Sequence, residues 1–292
     1  MLFSSSGKIE LPSMPAALSK IIQVTNSPNS TAEQLARVVR LDQSISTKVL
    51  RLANSAFIGR LTKVGTIPDA IVTLGFRSIR NLAASASVVD VLFPKRMFSG
   101  FSWKDMWTHS AICAVASQAI YGRANGLRGG DDETAFVAGL LHDVGKLVVA
   151  RALPQRFMQV VVACTQYNFA MSKAENNILG VTHSSIGGDL AQQWGFPENL
   201  VAAIAYHHMP EDAGEHEDMA RAVFAANLLA KRLGRSYLVG VTTDISLKDV
   251  ADAAELSVDD IQIIVEYVRD DLSRCEEIIS WGDKMPALGK AA

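Results

Sequence analysis

Apolar residues recur at three- and four-residue spacing along almost the whole chain, the period of helices that bury one face. Leu35, Val38 and Val39 form one such stripe, and Ile261, Ile264, Val265 and Val268 form another. No stretch alternates apolar and polar positions at a two-residue period with hairpin turns, so the pattern predicts an all-α fold. Helix starts are marked as well. Ser30 with Glu33, Ser102 with Asp105, Ser246 with Asp249 and Ser257 with Asp260 each place a hydroxyl three residues before a carboxylate, the spacing that satisfies orphan amides at a helix N-terminus. The predicted helices fall near 13–26, 31–41, 43–55, 67–74 and 76–92. Beyond them come 102–121, 132–151, 154–168, 172–179, 184–194, 197–208, 216–233, 247–255 and 258–281. Pro94 and Gly100 flank a short basic run that divides an N-terminal helical part (1–98) from a helical core (99–235) and a C-terminal extension (236–292). The segment 209–217, MPEDAGEHE, reads as an acidic solvated loop.

Composition narrows the function classes. The chain has 292 residues, of which 49% are apolar and 20% charged, a balance that excludes disorder and leaves ample material for a core. Twenty-eight Lys and Arg against thirty Asp and Glu leave a net charge of −2, which supplies no concentrated positive field. A nucleic-acid partner is therefore disfavoured. Cys113, Cys164 and Cys275 are odd in number and far apart, which argues against a disulfide framework and suits a reducing compartment. The opening MLFSSSGKIE lacks the apolar core of a signal peptide. The longest uncharged stretch, 157–172, is broken by Gln159, Thr165, Gln166 and Asn168, so no membrane span is expected and the expected location is cytoplasmic.

The candidate chemistry lies in six histidines: His109, His142, His183, His207, His208 and His216. The first five fall on or beside predicted helices. His142 and Asp143, in LLHDVGK, sit near the centre of the helix predicted at 132–151, and Gly145 beside them leaves room for another helix or a ligand. A histidine and an aspartate buried together among leucines and valines demand a partner. Imidazoles and a carboxylate converging from several helices are what a divalent metal needs. His216, inside the acidic loop, reads as an ordinary surface residue.

The motifs resemble a known family. LLHDVGK, with Trp107-Thr-His109 upstream and Tyr206-His-His208 downstream, is similar to the HD superfamily of metal-dependent phosphohydrolases. More specifically, LPSMPAAL (11–18), LDQSISTKVLRLANSAF (41–57), AIVTLGFRSIRNL (70–82), GLLHDVGKL (139–147), ENNILGVTHSSIGGDLAQQWGFP (175–197) and AIAYHH (203–208) resemble the HDOD family, the HD-related output domains of bacterial signalling proteins. The resemblance covers roughly residues 10–235 and implies an HD-like helical bundle with an N-terminal helical subdomain.

The resemblance also implies site residues. The metal pattern falls on His109, His142 and Asp143, and the additional histidines of dinuclear relatives correspond to His183, His207 and His208. The late aspartate position holds Asn227, whose amide oxygen can ligate but brings no charge. Two divalent cations would carry four positive charges against one from Asp143, so the pattern favours at most one weakly held divalent metal ion. Lys146, three residues after Asp143, is placed to meet a phosphate or else to balance the C-terminal half of its helix dipole. Asp105 corresponds to an extra acid of some relatives, although its helix-capping role is the simpler reading. Cys113, one turn from His109, reads as a small buried hydrophobe. Arg77 and Arg80 read as a solvated helix face. Neither a Gly-Tyr-Pro signature nor a glutamate directly after the paired histidines is present, which disfavours cyclic-dinucleotide hydrolysis.

Two functions follow. One is a non-catalytic signalling output module with a degenerate HD metal site, working through a signalling protein partner or a small phosphorylated ligand. The alternative is a metal-dependent phosphohydrolase acting on a nucleotide or other phosphoester. The C-terminal extension either caps the bundle or holds a homodimer together.

Overall fold

The computed structural model describes residues 2–4, 7–53, 64–92, 96–126 and 131–272. Cys275, the NSAF end of the second motif and the tail of the last predicted helix lie outside these residues. Among the described residues the fold is helical apart from one short antiparallel hairpin at the N-terminus, β1 (Leu2–Ser4) with β2 (Gly7–Ile9), paired Leu2 to Ile9. Three-residue strands are too short to leave a readable alternation, which is why the sequence pattern missed them.

Four helices, α1 (Ala16–Asn26), α2 (Ala32–Arg40), α3 (Gln43–Ala53) and α4 (Ile67–Leu92), pack on one another to form the N-terminal unit. The cap of α2 is one residue later than the pattern suggested. Thr31 accepts from the Gln34 amide at 3.3 Å, and the Gln34 side chain accepts from the Thr31 amide at 2.8 Å. An amide oxygen three residues on does the same work as a carboxylate, so Ser30 and Glu33 are not needed. The predicted break between 74 and 76 is present inside α4, where Gly75 adopts φ 82° and ψ 171°. A Cβ is strongly disfavoured at that φ, so glycine marks the kink.

The second unit is built around α5 (Trp103–Asn125). Every residue from Met106 to Ser117 is buried, because α6 (Asp131–Leu141), α12 (Glu217–Arg232) and α14 (Val258–Leu272) cover it from different sides. A helix covered all round needs small residues for close approach, and Ser110, Ala111, Ala114, Ala116 and Ser117 provide them. Ser102 caps α5, accepting from the Asp105 amide at 3.2 Å. Around this axis lie α7 (Val144–Ala152), α8 (Pro154–Tyr167), α9 (Met171–Leu179), α10 (His183–Gln193), α11 (Glu198–Tyr206) and α13 (Leu247–Ala254). The capping pairs Ser246–Asp249 and Ser257–Asp260 start α13 and α14.

Two expectations are corrected. The segment expected as an acidic loop is a 3₁₀ helix, Pro210–His216, folded against α11 and α12. The single helix expected over 132–151 is two, α6 and α7, interrupted at His142 and Asp143. Asp143 has φ −95° and ψ 9°, outside the helical region. Both halves keep the apolar period, so periodicity could not expose the break.

Segment 98–102 runs beside residues 237–239. The Ser102 amide donates to the Tyr237 carbonyl at 2.8 Å and the Val239 amide to the Gly100 carbonyl at 3.0 Å. Phe101, Trp103, Phe157 and Tyr237 form an aromatic cluster on this ladder, with Phe101 centred 4.7 Å from Trp103 and 5.3 Å from Tyr237. The cluster fixes Tyr237 beside His109, with ring centroids 5.2 Å apart.

Candidate metal centre

Two glycines bring the site's helices together. Gly139 on α6 lies so close to α5 that a Cβ there would overlap the Cys113 carbonyl, and this contact sets the end of α6 beside His109. Gly145, in the first turn of α7, lies against the His183 carbonyl in the same way and ties the start of α7 to the start of α10. His109 and Cys113 thus come from α5, His142 and Asp143 from the α6–α7 junction, and His183 from α10. His207 and His208 follow α11, and Asn227 sits on α12.

The four innermost imidazoles are held in one way. Nδ1 of His109, His142 and His207 lies 3.0, 2.7 and 2.8 Å from the carbonyl oxygens of Arg235, Gly139 and Ile204. A carbonyl can only accept, so each Nδ1 carries the proton and each Nε2 faces inward. His183 donates instead from Nδ1 to Glu175 Oε2 at 2.5 Å, and Glu175 also accepts the His183 backbone amide at 2.8 Å. Anchoring the outer ring nitrogen to a carbonyl or carboxylate is the support that metal-ligating histidines characteristically have.

The inner atoms converge on Asp143. Its Oδ2 lies 3.3 Å from His142 Nε2, and its Oδ1 lies 3.2 Å from His183 Nε2 and 3.9 Å from His207 Nε2. The Lys146 ammonium pairs with Asp143 Oδ1 and donates to the Tyr237 hydroxyl at 2.5 Å. That ammonium also stands 4.5 Å from the Tyr237 ring centroid. Nε2 of His142, Nε2 of His207 and Oδ1 of Asn227 are buried without a hydrogen-bond partner. Such orphaned atoms are rare in a folded interior, and a cation beside His142 and His207 would satisfy both imidazole nitrogens. Donor atoms of three overlapping groups lie within 4.8 Å of one another: His109, Cys113 and His142; His142, Asp143 and His207; and His183, His207 and His208. The donor set therefore fits a divalent ion.

The electrostatics follow from burial. His109 is pushed down to about 3 by burial and then by His142. His207 and His208 are held well below the ordinary histidine range, by burial first and neighbouring imidazoles second. His183 goes the other way: burial opposes its charge, but Glu175 and Asp143 outweigh it and raise its pKa. Burial also opposes the Asp143 carboxylate, yet His142 and Lys146 hold its pKa well below the usual range. Asp143 thus faces Lys146 and His183, and Glu175 faces His183 from the other side.

The structure gathers His109, His142, Asp143, Lys146, His183, His207 and His208 into one cluster. Asn227 is buried on the adjoining α12, and His216 ends the 3₁₀ segment apart from the cluster. Lys146 lies in the first turn of α7 rather than in the C-terminal half of a longer helix, so it cannot balance the expected dipole. Its charge is met by Asp143. Arg80, read as solvated, donates to Asn26 Oδ1 at 2.9 Å. Glu175, Tyr237 and the Arg235 carbonyl escaped the sequence reading. Glu175 opens the motif at 175–197, but nothing in the sequence marked it as the partner of His183, and Tyr237 carried no signal because only packing brings it in.

A helical fold that collects a His-Asp pair and further histidines from separate helices around one buried carboxylate defines an HD-type domain. The chain belongs to the HDOD domain family, whose profile matches residues 11–210. Similar solved structures include a candidate phosphohydrolase of Shewanella amazonensis SB2B, 27% identical with a TM-score of 0.71 over 94% of this chain and 95% of that one. An HDOD domain protein of unknown function from Geobacter sulfurreducens is 25% identical with a TM-score of 0.71, over 96% and 94% of the two chains. A candidate signal transduction protein from Marinobacter aquaeolei VT8 is 25% identical with a TM-score of 0.73, over 94% of this chain and 60% of that one. An uncharacterized protein of Treponema pallidum (strain Nichols) is 24% identical over 229 residues, and the match spans only 43% of that relative's length. Among the described residues no helix is long and apolar enough to cross a membrane.

Proposed function

We propose that this chain is a cytoplasmic signalling output module whose HD-type cluster is a buried structural centre rather than a hydrolytic one. The observation that carries the reading is the ion pair between Lys146 and Asp143. The only carboxylate among the expected metal ligands is already engaged by a buried ammonium, and the second acid position holds the neutral Asn227. A divalent ion held by His142, Asp143 and His207 would activate water or polarise a phosphoryl oxygen. This chain's own residues work against that use. Lys146 competes for Asp143, His183 carries a proton between two carboxylates, and His109, His142, Asp143, Lys146, His183 and His207 are all 0–1% exposed. These six side chains present almost no surface to a phosphoester. The module then works through its helical surfaces, binding a signalling protein or a small phosphorylated ligand away from the buried cluster.

The test is metal content of the purified protein together with turnover of bis(p-nitrophenyl) phosphate in added manganese, zinc or magnesium. The expected result is no turnover that depends on Asp143, with Asp143→Ala altering stability. Turnover in the wild type that disappears in Asp143→Ala would overturn the proposal in favour of phosphoester hydrolysis.

A further inference from the structure

The ion cluster contains one donor that the HD pattern does not supply. Cys113 is fully buried one turn after His109, and its Sγ lies 3.4 Å from His109 Nε2. His109 Nδ1 donates to the Arg235 carbonyl, so Nε2 is the acceptor and the thiol points its proton into the cluster. On the other side His142 Nε2, fully buried and without a hydrogen-bond partner, completes a group whose donor atoms all lie within 4.8 Å. A tetrahedral zinc with bonds of about 2.3 Å to sulfur and about 2.0 Å to nitrogen separates those two atoms by about 3.5 Å. The 3.4 Å between Cys113 and His109 matches that separation.

We propose that His109, Cys113 and His142 form a thiolate-containing site that takes zinc, or another thiophilic divalent cation, in preference to magnesium or calcium. It rests on reading the cluster as an ion site, and it names the ion's chemical class. The charge argument supports it. Asn227 in place of a carboxylate leaves a divalent ion one negative charge short, and a Cys113 thiolate supplies that charge. Asp143, whose Oδ2 lies 3.3 Å from His142 Nε2, borders the site but shares its charge with Lys146, so the thiolate is the one uncommitted negative charge there. Soft sulfur with imidazole selects zinc, whereas magnesium and calcium need oxygen donors. On binding, the Cys113 S–H bond breaks, sulfur donates its electron pair to the ion, and the proton leaves to the buffer; no electron is transferred. Without metal, burial and then the Asp143 charge hold the thiol protonated well above its usual range, so the metal itself must draw the proton off. Gly139 contributes by letting α6 reach the Cys113 carbonyl, which brings His142 within range of the thiol.

The probe is cobalt(II), added to EDTA-treated and reduced full-length protein. Saturable binding with a near-ultraviolet thiolate-to-cobalt band is expected, and one equivalent of zinc should bleach it while excess magnesium leaves it intact. The band should vanish in Cys113→Ser and persist in Cys164→Ser. X-ray absorption of the zinc-loaded wild type needs no variant and should place one sulfur at about 2.3 Å from zinc. No cobalt binding, cobalt bound without the band, a band that survives Cys113→Ser, or a zinc shell of nitrogen and oxygen alone would each overturn the proposal. Turnover of bis(p-nitrophenyl) phosphate in the same samples, abolished by Asp143→Ala, would overturn the output-module reading and leave the thiolate site standing.

Discussion

Removing the negative half of the Lys146–Asp143 pair leaves an ammonium that is 1% exposed with neutral acceptors alone, the Tyr237 hydroxyl and the new amide oxygen. Asp143→Asn does this with almost no change of volume, so no cavity term enters. Breaking a buried ion pair from one side costs about 3–5 kcal/mol, because the surviving charge has lost its partner and cannot return to water. For a chain of this size that loss corresponds to a drop in melting temperature of roughly 5–8 °C. Lys146→Met strands the carboxylate instead. The cost there is smaller because His183, whose pKa is raised, still faces Asp143 at 3.2 Å. The double variant Asp143→Asn with Lys146→Met removes both charges and should be more stable than the sum of the single losses by about 2 kcal/mol or more. The assay is urea unfolding in EDTA, followed by fluorescence of the buried Trp103, Trp107 and Trp194. Strictly additive losses, with coupling below about 0.5 kcal/mol, would refute the idea that this pair is a structural centre.

Three further outcomes are expected. Glu175→Gln removes the anion that raises the His183 pKa, so the His183 titration followed by NMR should move downward; an unmoved titration would contradict that cause. Gly145→Ala forces a Cβ into the His183 carbonyl and should cost about 3 kcal/mol, the upper end of overpacking penalties, with wild-type stability as the contrary result. In metal-free protein, His109 is neutral when folded but titrates near its ordinary value when unfolded, so its contribution to stability is complete above that value and falls as pH drops. With a folded pKa of about 3, His109 alone should lose about 2 kcal/mol between neutral pH and about pH 5. His207 and His208 add losses of the same sign, and His183, whose pKa is raised, offsets part of them. Urea midpoints that stay flat over that range would contradict the burial-driven shifts.

Much of this protein was legible in order along the chain. The helical period, the capping pairs at Ser102, Ser246 and Ser257 and the glycine break at 75 are local, set by residues within one or two turns of each other. The motif residues from His109 to His208 carried their chemistry in their types and order. Their convergence could not be read from spacing, because it depends on α6 and α7 separating at Asp143 and on Gly139 and Gly145 letting backbones touch. The same holds for Glu175, Tyr237 and the Arg235 carbonyl, which reach the cluster only through packing. The residue sequence determined that this chain is helical and that a divalent ion would find donors in it. Only the tertiary structure decided how the cluster is charged, because pairing Lys146 with Asp143 and His183 with Glu175 depends on distances across helices, and electrostatic energy in a buried site is set by those distances.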